Sequence, residues 1–581
     1  MKRTRAMLSG ILAASMLLSV AGCSGSESSS GAASSGSTAS TASGSSASQA
    51  ESGGKKSNAF PLVTEPASVS VFTNDDNGVD LSQNWFTQYY ENLTGITVNW
   101  SVVNSDQYLE KLNLMMAGGD EMDIYTTKNK TLSKTLVYKY GTQGIILPIN
   151  SFFDTCESYY LDNILSQDEA WRTGVTAPNG DIYGFNDVGS CFHCSYPVKM
   201  WVNKVWMDNL GITPPTTPDE FYDMLVRFKN EDANGNGDPN DEVPLSNCTE
   251  ATGSSSYMAG YLMNAFTYSN PRTKYLYVKD GSAAVSYNQE GWREGLRYLN
   301  KLYSEGLMDP ESYIQDRTTM KARNDSGEHP IFGAVPAQHT TVITNGNLDD
   351  RWKEYIALPP LTGPDGLCIT TNTSLSNYDN FRTMISGSSK NPELAFRFCD
   401  GLFASQEIGL LHGFGEENVR WHYAKEGELG KDGQQALYSN VTEDDKIPQE
   451  GEPYYNNYCW GSMFANYATN HSKWASPNDM SIPGTASFER YLYVNTEPYE
   501  AKKADISMVM PSFFFSEEDN AEIARLQTTI INYVDESTAA FVTGNKSIDN
   551  DWDAYITELG NLGLADYLAI YQRYYDEYKK G

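Results

Sequence analysis

Between residues 67 and 126 the sequence switches repeatedly between two hydrophobic periods, and this limits the fold more than any other feature. Val69 and Val71 mark a short β run that stops at Asn74-Asp75-Asp76-Asn77-Gly78. Trp85, Phe86, Tyr89, Tyr90 and Leu93 then recur at helical spacing as far as Thr94-Gly95. Ile96, Val98, Trp100 and Val102 alternate as a half-buried strand. Tyr108, Leu109, Leu112, Met115 and Met116 share one face of a second helix, with Asp106 placed to cap it and Gly118-Gly119 to end it. Met122–Thr126 reads as a third strand. Alternation of this kind predicts right-handed βαβ units around a mainly parallel sheet, an α/β fold.

The rest of the chain carries the same punctuation. Thr217-Pro218-Asp219-Glu220 is a capping box with proline at the first helical position. Trp292, Leu296, Leu299 and Tyr303 form a helical stripe that Gly306 stops, and Asn391-Pro392-Glu393 opens another helix. The last thirty residues read as helical, from about Trp552 to Tyr578. The part that can fold is about 520 residues long, too large for one small core, so two or more lobes are expected.

The N-terminal region is of another kind. Lys2, Arg3 and Arg5 precede an apolar stretch, Met7–Val20, which is shorter than the roughly 20 residues a spanning helix needs. It runs into Val20-Ala21-Gly22-Cys23, a lipoprotein cleavage pattern that predicts a signal peptide over 1–22 and acylation of Cys23. Residues 23–58 are dominated by Ser, Gly, Ala and Thr and cannot build a core. They read as a tether reaching about 30 Å. The expected location is the outer face of the cell membrane, held by lipid.

Residues 1–22 contain three cations and no acid, so their removal takes the formal charge from −32 to −35. Such a body repels nucleic acid and anionic lipid. Beyond Cys23 there are seven cysteines: Cys156, Cys191, Cys194, Cys248, Cys368, Cys399 and Cys459. Cys191-Phe-His-Cys194 has redox or metal spacing, but no second such pair accompanies it, and ordinary small buried residues are the expectation. Tyrosine (38) and tryptophan (11) are abundant enough to supply both cores and stacking surfaces for flat, amphipathic ligands.

The best-defined chemical motif is Asp232-Ala-Asn-Gly-Asn-Gly-Asp-Pro-Asn-Asp-Glu242. Oxygen side chains at positions one, three and five, with glycine at six, form the front half of an EF-hand-type calcium loop. Asp232, Asn234 and Asn236 are expected to bind Ca2+ through side chains and Asp238 through its carbonyl. Position twelve is Val243, so the acidic pair Asp241-Glu242 must close the site in its place. One such loop offers neither an open catalytic position nor a paired switch, so a structural role is expected.

Together these stretches resemble the family 1 extracellular solute-binding lipoproteins, the sugar-binding group that includes maltose- and alginate-binding proteins. The likeness rests on the cysteine and tether, on Trp201–Gly211 with Ile212–Phe221, on the acidic loop followed by Val-Pro-Leu-Ser, on Leu299–Leu307, Leu358–Gly366 and Ser389–Ala395, and on the tail from Phe541 through Gly563–Leu568 to Tyr571. It implies a periplasmic-binding-protein-like type II fold: two α/β lobes, a hinge and an interlobe cleft. The lobes are expected at 59–188 with about 367–430, and at about 189–366 with 431–581. It further implies a monomer that captures an oligosaccharide or other small solute and delivers it to ABC permease subunits, with no catalysis.

In doubly wound sheets ligands sit beyond the carboxyl ends of strands. That places Asp75 and Tyr125 at the cleft as hydrogen-bonding groups. Trp201 near the lobe crossover, Trp421 after Gly413-Phe-Gly415, and Trp460 in the run Tyr454–Trp460 are the candidate stacking residues. Peptide binding and coupling to a membrane sensor are the alternatives within the binding class. A surface glycoside hydrolase would need a carboxylate pair across a bond, and the chain has no G-x-S-x-G and no H-E-x-x-H.

Overall fold

The computed structural model describes residues 55–118, 121–128, 132–186, 191–249, 258–345, 351–371, 381–441, 447–467, 473–475 and 485–580. Cys23, the signal peptide and all of the tether before Lys55 lie outside them. The strands in chain order are β1 (Ala67–Asn74), β2 (Ile96–Val103), β3 (Ile124–Thr126), β4 (Ile146–Leu147), β5 (Phe185–Asn186), β6 (Lys199–Asn203), β7 (Val243–Leu245), β8 (Leu276–Lys279), β9 (Ser282–Val285), β10 (Phe332–Ala337), β11 (Tyr355–Leu358), β12 (Phe381–Ser386), β13 (Trp421–Tyr423) and β14 (Tyr438–Asn440).

The first sheet runs β2-β1-β3-β12-β4, with β5 also paired to β12; the second runs β11-β6-β10-β7. The expected parallel pairing holds for β2-β1-β3 and for β10-β7. However, β12 is antiparallel to all its neighbours, as β6 is to β10 and β11. The cause is where the chain enters. β12 begins beside Thr126 at the carboxyl end of β3, and Lys199 opens β6 beside Ala337 at the carboxyl end of β10. A strand arriving at the carboxyl edge must run against the parallel strands already there. Both connections between the sheets therefore lie at carboxyl edges.

Local chemistry fixes the elements. Asn84 caps the helix Trp85–Thr94 by accepting from the backbone of Phe86 (3.0 Å) and Thr87 (3.3 Å). Gly95 ends it at φ +78°, where a Cβ would stand 2.8 Å from the Val63 carbonyl. At the helix Pro218–Asn230, Thr217 accepts from the Glu220 amide (3.2 Å), as the capping box requires. The reciprocal bond comes one residue early, since Glu220 accepts from both the amide and the hydroxyl of Thr216 (2.7 Å each). The helix Glu290–Ser304 buries Trp292, Leu296, Leu299 and Leu302, each such burial contributing about 2 kcal/mol. Tyr303 lies at the margin of that stripe. The C-terminal helical run is two helices, Trp552–Asn561 and Leu564–Tyr578, divided at Gly563 (φ +92°).

Two large cores result. One takes Leu62–Phe185 and Phe381–Ala465, the other Tyr196–Leu361 and Tyr491–Tyr574. Both later boundaries therefore fall beyond the expected 367 and 430. Thr370 pairs with Lys503 of the second lobe. The stretch to residue 465 stays on the first lobe, where Met463 accepts from Thr126 and Ser462 from Arg382. Phe513 joins the second core and the next residue, Phe514, the first. The N-terminal segment is clamped to the first lobe. Asn58 donates to Asp400 (2.7 Å), while Arg397 donates to the Asn58 side chain (3.1 Å) and to the carbonyls of Ser57 and Leu62. Asp400 also accepts from Ser158 and from the amides of Tyr159 and Tyr160. Among the described residues no helix is long and apolar enough to cross a membrane.

Candidate functional site

At the carboxyl edge of the first sheet, Asn74 binds three loops together. Its amide donates to Ser105 (2.7 Å) and to the Lys128 carbonyl (3.0 Å), and its oxygen accepts from Thr127 (3.0 Å) and the Lys128 amide (2.9 Å). Asp75 follows, 4% exposed, accepting from the Asn77 amide (2.7 Å) and paired with the Lys128 ammonium. The topology thus puts Asp75 at the edge as expected, but its carboxylate already has a cationic partner. Lys128, whose side chain is 18% exposed, is the more open charge. It lies two residues past the end of β3, the only signal by which the sequence could have marked it.

The four aromatic candidates are packed in cores instead. Tyr125 is buried in β3 with its ring edge toward Phe72. Trp201 is fully buried in β6, stacked on Tyr491 and donating to the Ala337 carbonyl (3.0 Å). Trp421 donates to the Gly415 carbonyl (2.8 Å) and Trp460 to the Thr87 hydroxyl (2.7 Å), both at 0% exposure. Trp460 stacks on Phe464 and meets the ring of Phe86 edge to face. No face of these rings is open to a sugar in this structure, because the strands and loops that carry them are covered on both sides.

The carboxyl edge of the second sheet is built differently. A cavity of about 400 Å3, within the range of ligand pockets, opens where β7 ends, lined by Asn247, Thr249, Tyr275, Tyr313, Lys274 and Asp535 among others. Two lining atoms are buried with no hydrogen-bond partner among the described residues, the Asn247 side-chain oxygen and the Ser312 hydroxyl. Lys274 and Tyr275 both hold left-handed backbone (φ +53° and +64°), unusual for side chains of that size. Burial pushes the Asp535 carboxyl up, with Lys274 opposing. His339, just past β10, is pushed down to about 4 by burial, then by the nearby His193 and Lys199. It is therefore a neutral hydrogen-bonding group at neutral pH. These residues are separated by up to nearly three hundred positions, and no local pattern in the sequence joins them.

The acidic loop is preformed. Asp232 accepts from the Gly237 amide (2.9 Å), Asn234 from Asn236 (2.9 Å), and Asn236 from Asp238 (2.7 Å). Gly237, at position six, turns at φ +91°. Glu242 reaches back to the amides of Ala233 (2.9 Å) and Asn234 (3.3 Å). Asp241 accepts from both asparagine amides (2.9 and 2.7 Å). One oxygen of Asp232 and one of Glu242 are buried with no hydrogen-bond partner among the described residues, and burial raises the Glu242 carboxyl. Two orphaned carboxylate oxygens in an all-oxygen loop fit a hard divalent cation. Cys191 and Cys194, expected as ordinary buried residues, are joined as a disulfide.

Two lobes joined at the carboxyl edges of their sheets, with loops from both at that edge, define a two-lobed binding protein. The family model for bacterial extracellular solute-binding proteins matches residues 76–405, more than half of the chain, and the chain belongs to that family. The fructooligosaccharide ABC transporter substrate-binding protein FusA of Streptococcus pneumoniae serotype 4 is 27% identical over 546 residues, 90% of this chain and 91% of its own. Among solved structures, an EF-hand mutant of S. pneumoniae FusA in complex with fructo-nystose aligns at TM-score 0.61 (24% identity, 88% of this chain and 99% of that one). An extracellular solute-binding protein from Bifidobacterium longum subsp. infantis aligns at 0.69 (21% identity, 88% and 98%). The structural likenesses establish the periplasmic-binding-protein-like fold.

Proposed function

We propose that this solute-binding protein is the surface lipoprotein of an ABC importer, anchored through Cys23, and that its cargo is an oligosaccharide. The observation that carries the cargo is the second-lobe cavity at the carboxyl edge, where Asn247 and Ser312 hold buried polar atoms without partners beside Tyr275 and Tyr313. Hydroxyls satisfy such atoms, and an apolar sugar face suits the tyrosines. The near full-length likeness to FusA points to the same ligand class. Asp75, with Lys128, supplies hydroxyl-binding groups from the first lobe. Ligand gripped from both edges favours the closed form, the one that docks on the permease subunits.

Asp232, Asn234, Asn236, Asp238, Asp241 and Glu242 would hold Ca2+, whose role would be to stiffen the loop between the helix Pro218–Asn230 and β7, with no chemistry supplied to the ligand.

The test is thermal unfolding of the purified chain against inulin-type fructooligosaccharides, other glycans and peptides. Saturation at 100 times the dissociation constant adds about 2.7 kcal/mol. A shift with one glycan class and no product formed supports the reading. A shift with peptides alone overturns it.

A further inference from the structure

Where the chain first crosses from one lobe to the other it carries a cluster that solute binding does not use. One donor atom from each of Cys191, His193 and Cys194 lies within 4.8 Å of the other two, although the two sulfurs are at present bonded to each other. His193 Nε2 stands 3.9 Å from the Cys194 sulfur and 3.5 Å from a Glu489 carboxylate oxygen. Its other ring nitrogen is buried with no hydrogen-bond partner among the described residues. Glu489 is held by Lys431 (2.9 Å), and these partners, His193 and Lys431, outweigh its burial, so that its carboxyl sits at about 2. Below the loop, the fully buried Lys199 donates to the carbonyls of His193 (3.0 Å) and Tyr196. Phe192 packs on Tyr493 at 4.5 Å between ring centres. The loop is thus fixed from beneath and from the side, with its sulfur and nitrogen atoms converging.

We propose that Cys191–Cys194 is a reducible clasp whose dithiol form binds one soft divalent metal ion, Zn2+ in the first instance, through the two sulfurs, His193 and Glu489. A phosphine reduces the disulfide by giving two electrons and leaving as its oxide, with a water molecule supplying that oxygen and the two protons of the thiols; two external thiols do the same and leave as their own disulfide. The metal then displaces both thiol protons. Two thiolates, one imidazole and one carboxylate satisfy a tetrahedral ion. The Cys-x-x-Cys spacing suits a single metal, and sulfur selects it against Ca2+. The Lys431 ammonium, 2.9 Å from Glu489, offsets part of the added negative charge. The oxidised clasp does not bind, because a neutral disulfide sulfur lacks the thiolate charge that makes cysteine a metal ligand. The acidic loop in the second lobe does not compete, since its ligands are all oxygen.

The experiment uses the purified full chain, with Co2+ as a coloured substitute for Zn2+. After treatment with a phosphine and its removal under anaerobic conditions, one Co2+ per chain is expected to give a thiolate-to-metal charge-transfer band that Zn2+ abolishes. The unreduced chain is expected to give none. The double variant Cys191→Ser/Cys194→Ser loses the band, and His193→Gln or Glu489→Gln weakens binding about 10- to 100-fold. As a check independent of the variants' folding, Zn2+ should protect Cys191 and Cys194 of the reduced wild-type chain from alkylation, read by peptide mass. The proposal is overturned if the reduced chain shows no band. It is also overturned if the double variant keeps the band, or if Zn2+ protects only other cysteines.

Discussion

The carboxyl edges of the two sheets use their polar groups in opposite ways. At the first, Asn74 uses four hydrogen bonds to join the loops after β1, β2 and β3, and Asp75 is neutralised by Lys128. At the second, Asn247 and Ser312 keep buried polar atoms unpartnered around a cavity, beside two residues in left-handed backbone. One edge has used its polar groups to make itself rigid, and the other has kept them in reserve. A binding protein needs both: a frame that does not deform, and groups whose best partner is the ligand.

The largest expected effect is on the frame. Asn74→Ala leaves the Lys128 amide and the Thr127 hydroxyl without their partner and should cost about 3 kcal/mol of unfolding free energy. Denaturant titration checks this; a loss well under 1 kcal/mol would mean that the first edge is no stiffer than the second. Next comes calcium. With Ca2+ at 100 times its dissociation constant, chelation should remove about 2.7 kcal/mol, and Asp232→Ala should abolish that response. An unchanged melting curve would remove the ion from the second lobe.

Acid tests the two lobes through their neutral histidines. Burial, then Arg382, pushes His412 of the first core down to about 3, and His339 at the second edge sits at about 4. Both lie below the unfolded value of about 6.5, so the unfolded chain gains protons first as pH falls. Their stabilising contribution is complete above pH 6.5 and is lost progressively down to pH 3–4. By pH 5, His412 alone should cost about 2 kcal/mol. His412→Gln should flatten that slope, measured as unfolding free energy from pH 7.5 to 5.

The smallest effect sharpens the contrast most. Asn247→Ala should weaken oligosaccharide binding about tenfold, or 1.4 kcal/mol, with the melting temperature of the free protein nearly unchanged. Calorimetric titration separates the two readings, since equal losses in both would make Asn247 part of the frame.

Periodicity carried the elements well. The switching pattern over 67–126 gives the strand and helix order of the first sheet, and Thr217–Glu220 marks a real helix start. The antiparallel β12 and β6 were not legible, because their direction depends on where a distant crossover enters the sheet. The burial of the candidate aromatics was not legible for a related reason. A tryptophan suited to stacking on a sugar is equally suited to stacking on Phe464 or Tyr491, and only tertiary contact decides. The place of Asp75 at the sheet edge was legible because a position after a strand is local information. The cavity was not, because Asn247, Tyr275, Ser312 and Asp535 share no segment.

The N-terminal clamp has a mechanical consequence. Lys56–Leu62 is fixed to the helix Pro392–Asp400 through Arg397 and Asp400, so a pull on the chain from its N-terminal side is resisted within the first lobe and does not load the crossovers. If the chain is held through Cys23 as proposed, tension in the tether is taken up by the first lobe.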